Sequence, residues 1–93
     1  MTIERRILVG RDVYASDDLK VGVIIGVSPD AEFIIVARSS SSDLLVPMDE
    51  MHEVGGRIEI GRSTAFLKRA PEADPEHLTL DDRKRLEEFY RAA

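Results

Sequence analysis

Cysteine is absent from the 93 residues. That excludes a disulfide scaffold, thiolate chemistry and any Cys-ligated zinc or iron–sulfur centre. Aromatic residues are scarce, two tyrosines and three phenylalanines, so a base-stacking platform has little to be built from. No apolar run approaches the ~18 residues of a membrane span, and Met1-Thr2-Ile3-Glu4-Arg5-Arg6 lacks a signal-peptide layout. A cytoplasmic location is the resulting expectation. An excess of positive charge is also missing: 13 Lys and Arg against 18 Asp and Glu leave a net charge of −5. Such a chain is poorly suited to covering phosphates over its whole surface.

What remains is an ordinary globular balance, 43% hydrophobic and 33% charged, in a length that allows one small domain. The chain changes character near Gly61. Before it, short apolar segments alternate with turn signals; after it comes a polar stretch and then a helical pattern. Val21, Val23, Ile25 and Val27 alternate with Gly22, Ile24 and Gly26. A period of two puts four β-branched side chains on one face and two glycines on the other. Glycines so placed suit a strand that coils to close a small barrel. Phe33-Ile34-Ile35-Val36-Ala37 is apolar on both faces, and Asp43-Leu44-Leu45-Val46-Pro47 is a strand stopped by proline. Met48 to Met51 is a connector of about one helical turn. Gly55-Gly56 between Val54 and Arg57 supplies the positive φ angles of a two-residue hairpin.

Residues 63–78, with Pro71, Pro75, Glu72, Asp74 and Glu76, read as an acidic linker. Thr79 three residues before Asp82 marks a helix start. The helix is expected from about Leu80 to Ala92, with Leu86, Phe89, Tyr90 and Ala93 as its apolar stripe. It is too short to stand alone in water, so the stripe must dock, either on the outward face of Ile24, Ile34 and Val36 or on a second subunit.

Few groups are arranged for chemistry. His52 lies near Asp49, Glu50 and Glu53, yet successive residues of a strand point to opposite faces, so His52 and Glu53 diverge. No metal-ligand spacing supports the cluster. Ser39 to Ser42 contain no nucleophile elbow, and no glycine segment forms a phosphate loop. Arg83-Lys84-Arg85 is balanced at helical spacing by Asp81, Glu87 and Glu88. No catalytic, cofactor-binding or metal-binding residue is assigned.

The order of these segments carries a resemblance. A strand and Asp-rich turn precede Lys20-Val21-Gly22-x-x-x-Gly26-Val27; an apolar strand, Leu45-Val46-Pro47, a short connector and the Val54-Gly55-Gly56-Arg57-Ile58 hairpin follow. This resembles the PRC-barrel family, in particular its small stand-alone bacterial members of the domain-of-unknown-function 2171 type. The resemblance implies a barrel that holds other proteins, as in a reaction-centre scaffold or a ribosome maturation factor, and carries over no catalytic residue. The linker and final helix fall outside the shared pattern.

The expected fold is therefore mainly β: a small closed or partly open antiparallel barrel of about six strands over residues 1–62. A linker (63–78) and a C-terminal helix (79–93) follow, the helix belonging to the same domain or serving dimerisation. Val21, Val23, Ile25, Phe33, Ile35, Leu44, Val46, Ile58 and Ile60 are the expected core. The expected function is non-enzymatic: an adaptor or scaffold, or a homodimer, with Leu86, Phe89, Tyr90, Ile24 and Ile34 as its interaction surface. Its partner would be another protein or a second copy, with no cofactor, membrane or small-molecule substrate. The alternative is an RNA- or ribosome-associated accessory protein using Arg5, Arg6 and Arg11.

Overall fold

The computed structural model describes residues 8–29, 31–39 and 42–91. Six strands form one sheet: β1 (Asp12–Tyr14), β2 (Lys20–Val27), β3 (Phe33–Ala37), β4 (Leu44–Pro47), β5 (Met51–Val54) and β6 (Arg57–Ile60). Two helices follow, α1 (Thr64–Lys68) and α2 (Leu80–Arg91). The sheet order is β4-β3-β2-β1-β6-β5. The sheet is mostly antiparallel, but β1 and β6 pair in parallel, Val13 with Ile58 and Tyr14 with Glu59. The sheet is mixed and not closed, with β4 and β5 as its edges.

The turns follow the local chemistry. Gly55 and Gly56 take φ of 57° and 83° and close the β5–β6 hairpin, angles that cost glycine nothing. Pro47 ends β4, and Met48–Glu50 form a single 3-10 turn that joins the two edge strands.

The largest departure lies in β2. Gly22 and Ile24 face inward, Ile24 being fully buried, whereas Ile25 is 50% exposed and Val21 and Val23 are half-buried. The face carrying the β-branched residues is therefore the outer one, and Ile25 leaves the core list. Gly22 gives the first reason. A Cβ there would sit 2.0 Å from the carbonyl oxygen of Ala37, so β3 passes too close for any side chain. The second reason is a register shift: Val23 pairs with Ala37 and Ile24 with Val36, but Gly26 pairs with Ile35, leaving Ile25 without a partner on β3. Such a bulge changes which residues face in and bends the strand. Val21 and Ile35, expected in the core, are half-buried and pack against it from its margin. Phe33, Leu44, Val46, Ile58 and Ile60 are core residues as expected.

The stretch after Gly61 is not all linker. Ser63 caps α1, its side-chain oxygen accepting from the Phe66 amide at 3.2 Å, and Leu67 enters the core. Leu78, Ala70 and Ala73 pack against that core as well. At α2 the start signature is met in both directions: the Thr79 amide donates to Asp82 Oδ2 (3.2 Å) and the Asp82 amide donates to Thr79 Oγ1 (3.1 Å). Leu86 and Tyr90 join the same core as the strands; Ala92 and Ala93 lie outside the described residues. The expected four-residue pairs on α2 are replaced by Arg85 with Asp82 and by Arg83 with Glu32 of the β2–β3 turn. Among the described residues, no helix is long and apolar enough to cross a membrane.

Candidate interaction site

The expected interaction surface lies inside the molecule. Leu86, Ile24 and Ile34 are fully buried, Tyr90 is 3% exposed, and Phe89 is half-buried against the core. Phe66 stacks on Phe89 with ring centroids 4.4 Å apart, and Tyr90 meets both rings edge-on at 5.9 and 5.1 Å. The Tyr90 hydroxyl donates to the Leu45 carbonyl at 2.8 Å, so the helix covers backbone of edge strand β4. Burial pushes the Tyr90 phenol well above its ordinary range, and the charge of Glu50 adds to the effect. Arg62 ties the junction: its guanidinium donates to Glu50 Oε1 (2.6 Å) and to the Tyr90 carbonyl, and it lies over the Phe66 ring. The stripe thus docks in cis, leaving none of these five side chains as a broad free surface.

The acidic cluster around His52 is divided among other partners. Glu50 pairs with Arg62 and Glu53 with Arg11 (3.0 Å), while Arg11 also donates to the Gly56 carbonyl at 2.7 Å. Arg11 is therefore occupied, and Arg5 and Arg6 lie outside the described residues. On the outer face of β1 and β6, Arg57 lies 3.8 Å over the Tyr14 ring and pairs with Asp18 at 2.7 Å.

Two surfaces on the β2–β3 side are open to a partner. One is the outer face of β2 and β3, where Ile25 at 50% exposure stands beside half-buried Val23 and Ile35. Gly26 opposite Ile35 adds no side chain to cover it.

The second is a cleft at the end of this ribbon, in two adjoining lobes of about 180 and 420 Å³ that share Lys20, Val21, Arg38 and Ser39. Leu67 and Lys68 of α1 close one side; Gly22, Val23 and Ala37 close the other. Lys20 pairs with Asp12 at 3.2 Å, Arg38 Nε donates to the Ser42 carbonyl at 2.9 Å, and Lys68 has no ion pair among the described residues. Neighbouring Asp17 accepts from the Thr64 hydroxyl at 2.7 Å, a bond that holds its carboxyl below the ordinary range. Neither a protein-family model nor a curated protein matches the chain.

The sequence pattern missed both surfaces for one reason. It placed Val23 and Ile25 inside, and the close approach at Gly22 together with the bulge at Ile25 turns them outward.

Proposed function

We propose that the protein is a non-enzymatic interaction module of the PRC-barrel type, in which the six strands curl into a partly open barrel. Inner residues from both edges of the sheet, Val46 of β4 and Met51 of β5, share one core with Ile24 and Ile58, which supports that curl. The observation that carries the function is the outer β2–β3 face. Ile25 there is 50% exposed beside half-buried Val23 and Ile35, and an apolar patch left in water marks an interaction surface. The occupant we assign to it is another protein.

Capture from native lysate by wild-type protein and by Ile25→Asp, each with nuclease treatment, tests this reading. A protein retained by wild type after nuclease, and lost with Ile25→Asp at unchanged melting temperature, is the expected result. Equal capture by both forms would overturn it, as would self-association alone in sedimentation. The other outcome of the same test is RNA or ribosome association, in which capture would vanish with nuclease and fall steeply with salt.

A further inference from the structure

We infer that the cleft between β2, the end of β3 and α1 receives an acidic, partly apolar peptide segment of the partner protein. The inference deepens the adaptor reading and rests on it. Its lining combines two chemistries. Lys20, Arg38 and Lys68 stand on its rim without a carboxylate among the lining residues, in a chain whose net charge is −5. Val21, Val23, Ala37 and Leu67 supply an apolar wall.

Charge complementarity selects the occupant. Lys68 has no ion pair among the described residues, and the hydrogen bond Arg38 makes among them uses Nε, leaving its terminal nitrogens for a carboxylate. Lys20 shares its charge with Asp12 across an exposed pair, which holds little energy and yields readily to a competitor. The apolar wall gains only from side chains that leave water, and an extended peptide offers such groups beside carboxylates on alternate positions. Polynucleotide fits less well. No aromatic side chain lines the cleft for a base to stack on, and the negative chain repels a long polyanion beyond it. The two lobes have room for a few side chains, in line with a short motif rather than a folded surface.

The test uses the full chain, fluorescently labelled, on an array of peptides that vary acidic, basic and apolar content, with polyuridylate as competitor. Wild type should bind peptides enriched in Asp or Glu next to Leu, Ile or Val. Lys68→Glu combined with Arg38→Gln should weaken that binding at least tenfold at unchanged melting temperature, while Lys68→Arg retains it. An array without acidic enrichment, binding indifferent to the double variant, or displacement by polyuridylate would each overturn the inference. If the double variant has lost stability, Lys68→Glu alone carries the comparison, since Lys68 is exposed and has no ion pair among the described residues. The lysate capture separates the two claims. A partner lost with Ile25→Asp but kept by the Lys68 and Arg38 variants leaves the adaptor reading standing and removes the cleft from it. No partner for any form removes both.

Discussion

At the scale of single residues, Gly22 has the strictest requirement. An added Cβ would meet backbone, the Ala37 carbonyl oxygen at 2.0 Å, and Val36 Cγ1 at 3.0 Å. Backbone cannot swing aside as a long side chain does. Gly22→Ala should therefore cost about 1–3 kcal/mol or more through overpacking, read as a lowered urea midpoint. Gly26→Ala is the control, since its nearest contact would be Ile35 Cδ1 at an ordinary 3.6 Å. Ile24 and Ile25 make a second contrast. Ile24→Ala empties a fully buried site and should cost about 2–5 kcal/mol. Ile25→Ala alters a half-exposed one and should cost about 1 kcal/mol or less. Equal melting temperatures for the two variants would contradict the bulge. Alternation alone predicts the reverse order, because the pattern contains the β-branched side chains but not the carbonyl that excludes one from position 22.

Among the elements, α2 was legible at its start and illegible in its docking. Thr79 and Asp82 satisfy each other's backbone amides through contacts three residues apart, which sequence spacing captures. The Thr79 amide is the leading cause that holds the Asp82 carboxyl below its ordinary range, with Arg85 next. A carboxyl depressed on folding contributes stability above the unfolded pKa and loses it as pH falls through the folded one. Wild type should therefore lose its melting-temperature advantage over Asp82→Asn between about pH 5 and pH 2. Tyr90 has the opposite sense. Its hydroxyl is spent on Leu45 and its pKa is raised by burial. Its contribution is complete below the unfolded value near pH 10 and declines as pH rises above it. Tyr90→Phe should cost about 1–3 kcal/mol at neutral pH, by leaving the edge carbonyl unpaired. Its stability should also fall less than wild type's above about pH 10, measured by denaturant titration at each pH. The other missed element, α1, is five residues inside a Pro- and acid-rich region. Its cap and its core residue Leu67 are local signals too short to outweigh the surrounding composition.

For the whole molecule, strands and C-terminal helix share one core, and the radius of gyration of 12.1 Å matches the ~12 Å of a folded domain this long. The helix is thus part of the fold. Replacing Phe89 and Tyr90 together by Ser should lower the midpoint of a single unfolding transition, by about 3–5 kcal/mol for the buried tyrosine alone. Solution mass in sedimentation should stay unchanged. A change in mass with little loss of stability would instead assign the stripe to a subunit interface.

The sequence by itself determined what local chemistry controls. The Gly-Gly hairpin, the proline stop of β4, the single turn at Met48–Glu50 and the cap of α2 each depend on contacts a few residues apart. Most of the inner positions of β3, β4 and β6 were legible too, since regular alternation survives where no bulge intervenes. Only the tertiary structure decided which face of β2 looks inward, that β6 runs parallel to β1, and that Leu86 and Tyr90 dock on their own strands. Each depends on a contact between residues far apart in the chain: Gly22 with Ala37, Val13 with Ile58, Tyr90 with Leu45. The same long-range geometry sets Ile25 in water and gathers Lys20, Arg38 and Lys68 around one cleft.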